Sequence, residues 1–79
     1  MHIEQLITMA NDIANFFQSA TEEGEAVQGV AVHLRRYWEP RMRKQIIEHD
    51  VAGGEGLNAL ARSAIALLKT ESTNNAKPV

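Results

Sequence analysis

The sequence predicts an all-α fold, a bundle of about four short helices over residues 1–69 followed by a polar, disordered tail at 70–79. Three observations predict it. Apolar residues recur at steps of three and four in four successive segments, the spacing of one helical face. No segment sustains the period-two alternation of a half-buried strand. Capping residues and chain breakers stand between the segments: Ser19 to Thr21, Pro40, and Gly53, Gly54 and Gly56.

In the first segment, residues 3–17, Ile3, Leu6, Ile7, Ala10, Ala14 and Phe17 form one stripe, and Met9, Ile13 and Phe16 form a second beside it. So wide an apolar arc predicts contact with more than one neighbour, while Gln5, Thr8, Asp12 and Asn15 take the solvated face. Ser19 or Thr21 is placed to cap a second helix, with Glu22 and Glu23 in a first turn that favours negative charge. Val27, Val30, Ala31, Leu34 and Trp38 are its stripe. Gly29 lies midway along it and costs up to about 1 kcal/mol relative to Ala, which points to a close helix crossing.

The second helix should end near Tyr37 or Trp38 and the third begin at Glu39 or Pro40. Proline lacks an N–H, biases the residue before it away from helix and suits a first turn. Over about 40–51 the third helix carries Met42, Ile46, Ile47 and Val51, and the three glycines after it offer positive φ for the turn. The fourth helix has Leu57, Leu60, Ala61, Ala64, Leu67 and Leu68 as its stripe, Ile65 on the flank, and an expected end near Lys69.

A chain of 79 residues forms one domain at most and buries only about 60–65% of its unfolded surface. It has no Cys, so disulfides and thiolate metal sites are excluded as supports, leaving idealised helix packing or association with a partner. No apolar run approaches the roughly 18 residues of a membrane span, and no basic-then-apolar leader opens the chain. A soluble cytoplasmic protein is the expectation.

Charge is unevenly placed. The net charge is −2, yet residues 33–44 hold five of the eight Lys and Arg, the only Trp and the only Tyr. Counting Glu39, that stretch carries +4 and the other 67 residues carry −6. Arg35, Arg36, Tyr37, Trp38, Arg41 and Arg43 therefore meet at one corner, and Trp, Tyr and Arg are the types enriched in binding hot spots. Cations in the last turn of the second helix suit its dipole, but Arg41 and Arg43 in the first turn of the third do not. They need a partner outside their own helix: Glu48, Asp50, another protein or phosphate. Glu39 reads as a salt-bridge partner of these arginines. Trp38 can be core while Tyr37 faces out.

Chemistry of other kinds finds little support. His33 and His49 fall on neighbouring helices, but their spacing fits no established metal-ligand pattern. No serine stands near a histidine and an acid in a recognisable order, and no Cys offers a nucleophile. The three glycines lack both a preceding strand and a following Gly-Lys-Ser/Thr, as a phosphate loop would require.

Several blocks together resemble a known family. These are Met9-Ala10-Asn11 with Ile13, the Phe16-Phe17 pair, Gly29-Val30-Ala31 leading into His33-Leu34-Arg35-Arg36-Tyr37-Trp38-Glu39-Pro40-Arg41-Met42-Arg43, and Gly53-Gly54 followed by Gly56-Leu57. Over about residues 3–68 the chain resembles the small delta subunit of the soluble, molybdenum-containing, NAD-dependent formate dehydrogenase, most specifically in Trp38 to Arg43. It departs from the pattern near Ala59, where a proline opening the last helix is expected, and the tail after Thr70 is not covered. The resemblance implies an accessory polypeptide of a cytoplasmic complex whose larger subunits hold the molybdopterin, iron–sulfur clusters and flavin. It implies no catalytic residue here. A chain without Cys also holds no iron–sulfur cluster in the usual way, so no cofactor is expected in this chain.

The first expectation is thus a non-catalytic subunit that binds larger formate dehydrogenase subunits, or helps them assemble, through the basic aromatic corner. A second is a helix-turn-helix presenting Arg41, Arg43 and Lys44 to nucleic acid, against which the negative net charge stands. A third is a bundle that self-associates through the wide apolar arc of its first helix when isolated.

Overall fold

The computed structural model of the chain describes residues 2–75, and the side chains of residues 2–22 and 24–70. Four helices follow one another: α1 (Ile3–Ala20), α2 (Glu23–Tyr37), α3 (Pro40–Val51) and α4 (Ala59–Asn75). There is no strand among the described residues, as the stripes imply. α4 packs against each of the other three helices, and α1 also packs against α2 and α3.

The core takes Leu6, Ala10 and Ala14 from α1, Val30, Ala31 and Leu34 from α2, Ile46 from α3, and Ala61, Ala64, Ile65 and Leu68 from α4. Of the thirteen buried apolar residues among those described, six are alanines, so the helix backbones approach closely and the few large side chains fill the space that remains. Ile65, expected on the flank, is fully buried, whereas Val51 is 63% exposed. α3 turns only one stripe inward, and its last turn passes the edge of the core.

Helix ends differ from expectation at three places, the first being Leu57, which was counted in the fourth helix and lies in the turn before Ala59. Ser19 lies inside α1 and Thr21 closes it: both the Thr21 N–H and its hydroxyl donate to the Phe17 carbonyl, at 2.9 and 2.8 Å. α2 therefore opens at Glu23 with Glu22 in the cap position. A threonine can bond back to the carbonyl four residues earlier as readily as it caps forward, so its presence alone does not say which helix it serves. α4 continues to Asn75, past the end expected near Lys69. No glycine or proline stands between Leu57 and Pro78, and the Thr70 hydroxyl donates within the helix to the Ala66 carbonyl at 3.1 Å. Residues 76–79 of the expected tail lie outside the described residues.

The junctions behave as their sequences dictate. Trp38 and Glu39 are extended, with ψ of 138° and 152°, and Pro40 opens α3. Gly53, Gly54 and Gly56 all have positive φ. Gly56 sits against Ile7 of α1. Arg62 of α4 lies over Gly54 and forms an ion pair with Asp50 at 2.8 Å. Asn58 caps α4: its side-chain oxygen accepts from the Ala61 N–H at 2.8 Å. Its own N–H donates to Asn11 Oδ1 at 2.9 Å, and Asn11 Nδ2 donates to the Gly56 carbonyl at 2.8 Å. Asn11 thereby latches the turn and the start of α4 onto α1.

Candidate functional site

α1 and α2 are joined by two residues and run past each other in opposite directions, which brings Phe17 over Gly29. A Cβ on Gly29 would lie 2.7 Å from Phe17 Cδ1 and Cε1, so the glycine makes room for the ring, as a close crossing requires. Seated there, Phe17 joins a row of rings that crosses the two helices. Phe16 meets Phe17 edge to face at 5.3 Å and 83°, Phe17 meets His33 at 6.4 Å and 70°, and His33 meets Tyr37 at 4.8 Å. Aromatic rings favour such edge contacts, worth about 0.5–1.5 kcal/mol per pair. The row ends at the corner predicted as the binding site.

The structure divides that corner into an outside and a support. Tyr37 is 71% exposed, and Arg35, Arg36 and Arg41 are exposed on either side of the junction. Arg36 and Arg41 make no hydrogen bond or ion pair among the described residues. Trp38, by contrast, is 5% exposed and belongs to the core. Arg43 is half-buried, and its Nη1 donates to the carbonyls of Arg35 and Trp38, each at 2.8 Å. The last carbonyls of a helix lack intrahelical partners, so Arg43 finds at the end of α2 the partner its own helix cannot offer. Asp50 pairs with Arg62 instead, and Glu39 makes no ion pair among the described residues. Glu39 was expected to bind the arginines, but its exposed position before Pro40 leaves it in water.

The histidines serve local contacts. His33 lies within the row of rings, and His49 Nε2 pairs with the Glu55 carbonyl at 2.7 Å. Beside the row runs a shallow groove lined by Gly29, Val32, His33, Arg36 and Tyr37. A second hollow is lined by Met9, Ile13, Tyr37 and Met42. Open and largely apolar, with Arg36 lining the first hollow and Asp12 the second, this face suits contact with another macromolecule better than enclosure of a small molecule.

Phe16, 66% exposed, and Phe17 extend the surface beyond the corner that residue types had indicated. The signal for Phe16 was the second stripe of α1, Met9, Ile13 and Phe16, whose far end is left exposed, while Phe17 ends the first stripe.

Comparison with known proteins adds to this geometry. Residues 5–65 match the model of a family described as NADH-dependant formate dehydrogenase delta subunit FdsD. No curated protein and no solved structure matches.

Proposed function

The chain belongs to the FdsD family of formate dehydrogenase delta subunits, and from that membership we propose that it is a non-catalytic accessory subunit of a cytoplasmic NAD-dependent formate dehydrogenase. In this reading it binds the larger redox subunits, or helps them assemble, through the corner of Arg35, Arg36, Tyr37 and Arg41. Trp38 and Arg43 hold that corner in place from beneath. The observation that carries the reading is Tyr37, 71% exposed at the end of a row of rings and flanked by Arg36 and Arg41, which have no partner among the described residues. The outer face of the Tyr37 ring, away from its contact with His33, gains the folded monomer nothing, whereas at an interface the same ring with arginines beside it is a typical anchor.

No helix among the described residues is long and apolar enough to cross a membrane, which accords with a place in a soluble complex. The test is capture of the tagged chain from its native host, with co-purifying proteins identified and formate-dependent NAD reduction assayed. Active enzyme with large subunits in near-equal amounts supports a permanent subunit. Large subunits without activity support a role in maturation. Arg36→Glu and Arg41→Glu should each weaken capture while helicity stays unchanged. Normal capture by both variants would make the corner structural, and recovery of the chain alone would remove the reading.

A further inference from the structure

The side of α2 turned away from the core carries an ordered set of residues. Ala26, Val30, Ala31 and Leu34 face inward. At 100° per residue, Glu25, Gly29, Val32 and Arg36 fall on the opposite side as one stripe, with the Phe17 ring of α1 lying over Gly29. Read from either end, the stripe matches its own reverse with the charges exchanged. Glu25 and Arg36 lie equally far from the midpoint between Val30 and Ala31, and Gly29 and Val32 lie equally far inside them.

We infer that a second copy of the chain docks on this stripe, α2 against α2, antiparallel about a two-fold axis. In such an isologous interface each contact occurs twice. Glu25 of each copy faces Arg36 of the other, and Val32 of each meets the Phe17 ring that lies over Gly29, in the groove that Tyr37 also lines. Phe16 and Tyr37, the exposed aromatics, lie at the margin and lose solvent. Neither Glu25 nor Arg36 makes a hydrogen bond or ion pair among the described residues.

Charge favours this occupant over others. Residues 1–34 hold five acidic residues and no Lys or Arg, and the cations begin at Arg35. The face is acidic at one end and basic at the other, so a uniformly acidic or basic partner would satisfy one end and be repelled by the other. A reversed copy satisfies both. α2 spans about 22 Å at 1.5 Å per residue, which is short for an interface, so the dimer forms in about the micromolar range. The inference concerns the isolated chain and does not rest on the proposed complex, although the two would compete for Arg36 and Tyr37.

Sedimentation equilibrium of the full chain tests it. The parent is expected to dimerise, more weakly as salt is raised. Glu25→Arg and Arg36→Glu each turn two attractions into two repulsions and should raise the dissociation constant by about tenfold or more. Mixed together, the two variants oppose the introduced arginine to the introduced glutamate at one contact and keep the native Glu25 with Arg36 at the other. A one-to-one heterodimer should therefore form. The doubly exchanged chain should dimerise like the parent, which separates a charge effect from damage to the fold. A parent that stays monomeric up to roughly 0.2 mM overturns the inference. So do single variants that dimerise normally, or a mixture that stays monomeric. A monomeric parent whose Arg36→Glu variant alone loses the large subunits would assign the face to those subunits instead.

Discussion

Replacing Gly29 with alanine should destabilise the protein when Phe17 is present and stabilise it when Phe17 is absent. The new Cβ would lie 2.7 Å from two ring carbons of Phe17 and 3.3 Å from a third, where carbon atoms prefer about 3.5–4.0 Å. The ring must therefore move by about 1 Å and lose its edge contacts to Phe16 and His33. Overpacking of this kind costs about 1–3 kcal/mol. Alanine in a helix interior returns up to about 1 kcal/mol relative to glycine. The difference is a net loss of about 1 kcal/mol, or a melting temperature lower by about 4–8 °C in a domain of this size. In the Phe17→Ala background nothing opposes the methyl group, and the same change should gain about 1 kcal/mol. Urea unfolding followed by far-ultraviolet ellipticity measures all four proteins, at one low concentration so that self-association does not enter. Equal effects of Gly29→Ala in both backgrounds would refute the reasoning that Gly29 exists to seat Phe17.

Four further substitutions test the same geometry. Ala59 is the first residue of α4, directly after the capping Asn58, so Ala59→Pro should raise stability by about 0.4–1 kcal/mol, read as a higher urea midpoint. Asn58→Ala removes the α4 cap and should cost about 1–2 kcal/mol. Asn11→Ala should cost a similar amount, about 1–2 kcal/mol, by leaving the Asn58 N–H unpaired; Asn58→Ala keeps that backbone N–H, so the two substitutions remove different hydrogen bonds. Gly54→Ala forces a side chain into φ +66° and towards Arg62, and should cost about 1–2 kcal/mol, visible in a thermal melt.

The four helices were legible because their information is local. Spacing of three and four reports which side of a helix is apolar, Pro40 reports a junction, and three glycines report a turn. Thr21 and the length of α4 were not legible, since a threonine serves either helix and a helix without a stop signal ends where context decides. Asn11 was also out of reach. Its place in the Met9-Ala10-Asn11 block says nothing of its partners, Gly56 and Asn58, which lie 45 and 47 residues away. The corner was legible as composition, because five cations and two aromatics stand within twelve residues. Composition does not say which side chains point outward. That depends on the turn of α2 at which the core ends, and the core ends at Trp38.

The division of the corner into support and surface makes a distinction between arginines that charge alone does not. Arg43 and Arg36 carry the same group close to the same helix end, yet one holds that end together and the other forms no ion pair among the described residues. Arg43 satisfies the carbonyls of Arg35 and Trp38, and a hydrogen bond from a charged donor contributes about 1.5–3 kcal/mol when buried. At this half-buried site Arg43→Met should cost about 1–2 kcal/mol for the pair. Arg36→Glu and Arg41→Glu should change stability by less than about 0.5 kcal/mol, as surface substitutions do. Partner binding should then separate from stability: lost in the Arg36 and Arg41 variants at full stability, and weakened in Arg43→Met only as far as α2 and α3 shift at their junction. An Arg43→Met protein of parental stability that binds no partner would overturn this assignment, and would move Arg43 from the support of the corner to its surface.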